Sequence, residues 1–362
     1  MLDRLWITLL LLIFLPAPSM TATWTVYEDG SGDAPTIQAA LDSTSSGDTV
    51  LVYPGTYHES PTRYNLAELT LLGVSGRDDT IIDLAGGHSS FGIVYFVISG
   101  FCFENGDHVY IQSAYYSVHD CTFRDLDSDS GGNIVLTDTN DHGYNYFEDN
   151  LVTDNGSVGG PIMRADNAFV RGNLFSDNTC IMEYHLDPAG IFFPGGRFSR
   201  IEENIFTNNY AELGTIIVSL FSEPQFLEMT LWNNIFYHNQ ALIIWSDYDF
   251  AASIENNILV STSANNPFTD SARPFEPPSC NILWNIEYDT EVFAEEDWNL
   301  YLDPRFCGAE IGDFTVNVGS VCLPENQPVG MNCGLIGIFE AGCPTPTKNI
   351  SWGLLKRYFK TK

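Results

Sequence analysis

Across residues 101–285 the chain repeats one short phrase of polar and apolar positions: Asn, two apolar residues, two polar ones, then often a second Asn. It reads NLVTDN from Asn150, NLFSDN from Asn173, NIFTNN from Asn204, NIFYHN from Asn234, NILVST from Asn257 and NILWNI from Asn281. Two earlier copies, FCFENG from Phe101 and CTFRDL from Cys121, are worn. The second apolar position is always large: Phe103, Phe123, Val152, Phe175, Phe206, Phe236, Leu259 and Leu283, at steps of 20, 29, 23, 31, 30, 23 and 24 residues. A period in the twenties with a fixed apolar column marks a solenoid, because one turn cannot bury its own hydrophobic face and must stack on its neighbours.

Short strands followed by turns pair in parallel about 4.8 Å apart, which stacks the Phe side chains along the axis. The Asn residues are expected at the bends, where they tolerate left-handed backbone and their amides can bond from turn to turn. The predicted fold is all-β, a right-handed parallel β-helix solenoid of about ten turns. Asp33 before Pro35 signals a helix start, and Ile37, Ala40 and Leu41 give that short helix one apolar face. It is expected to plug the first turn, since an open solenoid end exposes core and strand edge. Residues 50–53 follow as the first buried strand, stopped by Pro54 and Gly55.

These patterns resemble the pectate-lyase-like superfamily. The strings DGSGDAPTIQAAL, VLVYPGTYHES and LTLLGVSGRDDTII, including Gly55, Tyr57 and Glu59, resemble the opening of the pectin methylesterases. The later motifs of the Q-D-T-L, D-F-I-F-G and L-G-R-P-W type that carry catalysis in that family are missing. The resemblance therefore implies the fold and speaks against the esterase, leaving Tyr57 and Glu59 to packing and turn hydrogen bonds. One scaffold hosts many sites, so fold alone does not name an activity.

Residues 1–22 read as a signal peptide: Arg4, an apolar run, then small residues with cleavage expected after Ser19 or Ala22. The run is too short to span a bilayer, so no transmembrane segment is expected in the mature chain. Residues 23–303 form the solenoid and residues 304–343 a C-terminal cap, resembling the end caps of secreted bacterial solenoids. Of eight Cys, four crowd this cap, and the expected pairing is sequential, Cys307 with Cys322 and Cys333 with Cys343, although four Cys allow three connectivities. Residues 344–362 are a linker and a basic tail that reads as an amphipathic helix, with targeting or a frayed end as its alternatives.

The formal net charge is −32, and the first Lys is Lys348. So acidic a body excludes nucleic acid and disfavours an unaided polyanionic ligand. The steps between repeats swell from Phe123 to Phe236, so loops leave the solenoid there. Aligning Ile134, Ile162 and Ile191 places Asp138 beside Asp166 on the next turn, with Arg164 two positions before it. Stacked carboxylates repel unless a cation bridges them. In pectate-lyase-like enzymes such acids bind calcium while an Arg acts as base, and the resemblance implies a site of that type; acids facing water are the alternative. Asp125, Asp127 and Asp129 have the alternate spacing of a calcium loop, or of a solvated turn. Glu183, His185 and Asp187 put two acids and an imidazole on one loop, a set suited to proton transfer or to plain surface hydrogen bonding.

The expected protein is a secreted or cell-surface monomer that interacts with a polysaccharide or cell-surface glycan, acting as a lyase or hydrolase, with calcium as cofactor. The alternative is a non-catalytic surface or structural solenoid.

Overall fold

The computed structural model describes residues 21–129, 132–139, 145–183, 189–219, 228–246, 252–260, 277–286 and 297–343. Residues 1–20, in the stretch expected to be a signal peptide, and the tail from 344 to 362 lie outside them. The chain winds as a right-handed parallel β-helix in which strands of successive turns stack into three long sheets. Sheet 1 contains the repeated phrase: ten strands stack from Gly55–His58 through Leu151–Thr153 and Leu174–Ser176 to Ile282–Trp284. Sheet 2 runs from Thr23–Val26 to Ala252–Glu255. Sheet 3 starts at Thr62, in the first part of strand Thr62–Gly73, and continues through Val109–Ser113, Ile134–Asp138, Met163–Asp166 and Gly190–Gly195.

The apolar column of the phrase is one buried file. Ile82, Phe103, Phe123, Val152, Phe175, Phe206, Phe236, Leu259 and Leu283 pair in register from turn to turn. Phe175 and Phe206 stack at 4.7 Å and Phe206 and Phe236 at 5.0 Å. At Val152, where the file is thin, Phe147 of sheet 2 comes in between Phe123 and Phe175 at 6.0 and 6.5 Å. Each buried ring contributes about 1.5–3 kcal/mol by leaving water.

Two runs of buried Asn flank this file. In the first, the Asn150 side-chain nitrogen donates to Asn173 Oδ1 at 3.2 Å, and the same bond recurs from Asn173 to Asn204, Asn204 to Asn234, Asn234 to Asn257, Asn257 to Asn281 and Asn281 to Asn299 at 2.9–3.1 Å. In the second, Asn155, Asn178, Asn209 and Asn239 are linked at 2.9 Å. These Asn do not themselves take the left-handed conformation. The residue before each one does: Asp149, Gly172, Glu203, Asn233, Asn256, Cys280 and Trp298 in the first run, Asp154, Asp177, Asn208 and His238 in the second. The bend thereby turns the next amide inward, where its oxygen also accepts a backbone N–H of the preceding turn, as Asn204 Oδ1 does from Asn173. Burial without such partners costs about 1–3 kcal/mol per group, so each Asn is held to its place.

The N-terminal helix is Ile37–Ser43, with Ile37, Ala40 and Leu41 buried. Its cap is Thr36, whose hydroxyl accepts from Ala39 N, while Asp33 binds Thr25 instead. Glu59 accepts the first free N–H groups, those of Ile37 and Gln38, and Tyr57 donates to Tyr53 O, so both residues have structural roles.

The segment 306–343 lies along the side of the solenoid. Phe314, Val316, Leu323, Ile336, Ile338 and Phe339 form a second core with Ile205, Ile235, Ile258 and Ile282, which point outward from sheet 1. Gly337 packs against Ile258 and its N–H reaches Asn256 O at 2.8 Å. The disulfides are Cys280–Cys333 and Cys307–Cys343, which corrects the sequential pairing. Cys322 turns into the cap core, where burial pushes its thiol up to about 11. Cys280, at a left-handed corner, meets the cap where it crosses the solenoid. Among the described residues no helix is long and apolar enough to cross a membrane.

Candidate functional site

The outward face of sheet 3 brings together aromatic and hydrogen-bonding side chains over six successive turns. On the first turn, the ring of Tyr64 fills the space over Gly92 of the next, where a methyl group would come within 2.6 Å of it, and its hydroxyl donates to Ser90 Oγ at 2.5 Å. Held this way, Tyr64 remains 46% exposed. Tyr110 follows in register with Ser90, its hydroxyl 3.3 Å from Thr137 Oγ1 of the next turn, and Gln112 is exposed beside it. Val135 pairs with Tyr110 and Arg164 with Val135, so this file continues to Arg164 and then to Phe193.

Arg164 is the centre of this face. Its Nε donates to Asp166 Oδ1 at 3.1 Å, and its guanidinium lies 5.7 Å from the centre of the Phe193 ring. Gly195 is required opposite: a Cβ there would fall inside the Asp166 carboxylate. The paired arrangement keeps Arg164 oriented while leaving it exposed.

The register differs by one from the alignment on Ile134 and Ile162. Ile134 pairs with Met163, and Met163 with Phe192. Asp138 therefore neighbours Asn167, whose Nδ2 donates to Asp138 Oδ2 at 3.0 Å, and not Asp166. Asn167 Oδ1 in turn accepts from Arg197 N at 2.6 Å on the following turn. Asp125, Asp127 and Asp129 do not form a loop at all in their first members: Thr122–Ser128 is a strand with Leu126 and Ser128 buried and Asp125 and Asp127 exposed between them. Asp125 takes a left-handed corner within it, φ 52°, after which Leu126 N donates to Asn155 Oδ1 of the next turn at 3.0 Å, so Asp125 and Asp127 stand on either side of a bend between two strand segments. With Asp166 on Arg164, Asp138 on Asn167 and Asp125 and Asp127 split by a corner, the carboxylates singled out from the sequence do not fit a shared calcium site. Glu183 is exposed at the end of the described part of its loop, while His185 and Asp187 lie outside the described residues.

A second polar group was not legible in the sequence. Asp120 and Asp149 take the left-handed corner on consecutive turns, and the buried Arg77, 2% exposed, reaches between them. Its Nη1 donates to Cys121 O at 2.9 Å and Asp149 O at 2.7 Å, and its Nε is 3.7 Å from Asp120 Oδ1. Burial lowers the Arg77 pKa, against the pull of Asp120. Burial raises Asp149 and, helped by Asp149, Glu148, and it lowers His119. Arg77 is 44 and 72 residues from its partners, so only the acid preceding each phrase, at Asp120, Asp149 and Glu203, hinted at this corner.

Between sheet 1 and the cap lies a cleft of about 350 Å³, lined by Tyr237, His238, Trp284, Asp303, Arg305 and Glu310. Tyr237 donates to Glu310 Oε1 at 2.7 Å, and burial together with that carboxylate raises its pKa.

Stacked parallel strands wound into a closed coil, with an aromatic and polar face left open, define the class of protein: a right-handed parallel β-helix solenoid. More narrowly, the chain belongs to the family described as right handed beta helix region, which matches residues 85–268. Among solved structures it is similar to the pectate lyase Pel9A, with 11% identity, 90% of this chain and 97% of that one covered, and a TM-score of 0.41. It is also similar to a pectin methylesterase from Aspergillus niger, with 13% identity, 80% and 92% covered and a TM-score of 0.32. The pectin methylesterase from carrot gives 10% identity, 77% and 86% covered and a TM-score of 0.33. No curated protein matches the sequence.

Proposed function

We propose that this protein binds a neutral polysaccharide along the outward face of sheet 3. The observation that carries the reading is the alternation of ring and hydrogen-bonding group across consecutive turns: Tyr64 over Gly92, Tyr110 beside Gln112, and Arg164 with Asp166 beside Phe193. A sugar ring has an apolar C–H face and a rim of hydroxyls. Exposed aromatics held rigid by their own polar ends suit the first, and oriented amide, guanidinium and carboxylate groups suit the second. The formal charge of −32 favours a neutral chain over a polyuronate.

Catalysis as a lyase or hydrolase would draw on Arg164 and on Glu183, His185 and Asp187, whose loop leads into the strand bearing Phe193. A glycan array probed with the secreted protein, repeated in chelator, tests the binding. Tyr64→Ala and Phe193→Ala are each expected to weaken the signal while Trp284→Ala leaves it unchanged. Loss only with Trp284→Ala would move the site to the cleft beside the cap. Absence of any signal would favour the non-catalytic structural solenoid. Product release from the bound polysaccharide, abolished by Arg164→Gln, would separate an enzyme from a binder.

A further inference from the structure

We propose that His88, Asp107 and His108 form a binding site for a borderline divalent cation of the zinc class. His88 and His108 occupy equivalent places on consecutive turns, one residue before the paired Ser89 and Val109. Their rings stack at 4.7 Å and 8°. The Asp107 carboxylate is 3.0 Å from His108 Nδ1, and one ligand atom from each of the three residues lies within 4.8 Å of the other two. Among the described residues this is the group of His, Cys, Asp and Glu that comes together so closely.

The backbone holds the two segments in place. Ser89 N donates to His108 O at 3.1 Å, and Asp107 N donates to Gly87 O at 2.8 Å, so neighbouring turns clamp both sides of the group. Zinc takes imidazole nitrogen at about 2.0–2.1 Å and carboxylate oxygen at about 2.0–2.2 Å, so ligand atoms around it stand roughly 3.3 Å apart. The Asp107–His108 pair already meets that spacing. His88 is exposed and need only turn about its side-chain bonds by about 1.5 Å, tilting out of the stack so that its lone pair converges with the other two.

The donor set decides the class of ion. Two imidazoles and one carboxylate suit zinc, copper or nickel, whereas calcium seeks six to eight oxygens, roughly. Three protein ligands leave a fourth position open. It faces solvent at the edge of sheet 3, since His88 is exposed and two residues on from His88 and His108 stand Ser90 and Tyr110 of the outward face. The proposal does not depend on that face binding a glycan.

The test is zinc titration by calorimetry of the full chain produced without a histidine tag, in excess calcium to occupy surface carboxylates. One zinc per chain is expected, with a rise in the unfolding midpoint by mass action. Cobalt in place of zinc should give the intense visible bands of a four-coordinate site. His88→Ala and His108→Ala should each weaken binding by more than the roughly 10–100-fold that loss of an outer-shell partner costs. Asp107→Asn should weaken it less, and Asp125→Asn not at all. No zinc uptake in excess calcium, or uptake unchanged in both His variants, overturns the site. Because His88 is exposed, its variant should fold as the parent does, and Asp107→Asn provides a second reading that keeps side-chain shape.

Discussion

Sheets 1 and 3 are built on the same parallel ladder and each turns side chains outward, yet an apolar row of sheet 1 is covered while the outward face of sheet 3 is open. Outward from sheet 1 stand Leu151, Leu174, Ile205, Ile235, Ile258 and Ile282; the first two are half-buried, and the four Ile are buried beneath the cap. Outward from sheet 3 stand Tyr64, Tyr110, Gln112, Arg164 and Phe193, partly or fully exposed. The repeat alone therefore does not decide what a face is for. A wholly apolar outward row needs a protein cover, and the chain supplies one from its own C-terminal part. A row mixing rings with hydrogen-bonding groups is stable in water and available to a ligand.

The largest effect should come from the interior that both faces share. Phe206→Ala, in the middle of the stacked file, is expected to cost about 3–5 kcal/mol, measured by denaturant unfolding, and to loosen sheets 1 and 3 alike. A loss confined to sheet 1 would show that the faces are supported separately.

Next comes the cover itself. Breaking Cys280–Cys333, which closes 53 residues, should cost about 2–4 kcal/mol. Hydrogen exchange should then quicken in 306–343 and in Ile235–Tyr237 and Ile258–Val260, while Val109–Ser113 and Met163–Asp166 keep their protection. Equal quickening in sheet 3 would deny the division between covered and open faces. Alkylation before unfolding should leave Cys102, Cys121 and Cys180 unmodified, since burial pushes these thiols up to about 12.

On the open face the expected balance is reversed. Tyr64→Ala should change stability by only about 0.5 kcal/mol, as exposed positions do. Its effect on glycan affinity should reach roughly tenfold, the value of one aromatic contact of about 1.5 kcal/mol at most. Ile258→Ala should do the opposite, unfolding more easily and binding unchanged.

The smallest effect concerns the corner between sheets 1 and 2. Burial holds the folded-state pKa of His119 below its ordinary value. Below about pH 6.5 the unfolded chain takes up a proton that the folded chain resists, so stability should fall as the pH drops through that point. Glu148 and Asp149 are raised, and act in the opposite sense: the folded chain holds their protons to higher pH, so they destabilise it as pH rises through and above the ordinary carboxylate range. Thermal midpoints of the parent and His119→Gln between pH 7 and 5 should converge toward neutrality and separate below it, with the variant less sensitive to acid.

The file of Phe and the count of turns were readable because the phrase repeats its chemistry at each copy, and the pairing of Phe175 with Phe206 follows from like positions. The register of sheet 3 was not. Ile162 and Met163 are both fully buried, so an apolar match could not choose between them, and a slip of one residue separates Asp138 from Asp166. The spacing of Asp125, Asp127 and Asp129 suits a metal loop, but Asp125 is a solenoid corner like Asp154 and Asp177, and its copy of the phrase carries Leu126 where the later ones carry Asn155 and Asn178, which hid it. The partner of Cys333 depends on where the cap crosses the solenoid, and no local pattern around Cys280 carries that information. His88 and His108, 20 residues apart, were equally silent until the pairing of Ser89 with Val109 placed them side by side.

Asn150 and Asn173 are 23 residues apart and Asn173 and Asn204 are 31 apart, yet the amides join at 3.2 and 2.9 Å. Eight additional residues have thus entered a turn without disturbing the rung. For heredity this divides the gene into two kinds of text. Changes of length between rungs are nearly silent, so insertions and deletions can remodel a face while the rest of the molecule is untouched. A single substitution at a rung has no such freedom. Lineages of this protein should therefore diverge first by the lengths of their loops, and last by the letters at their corners.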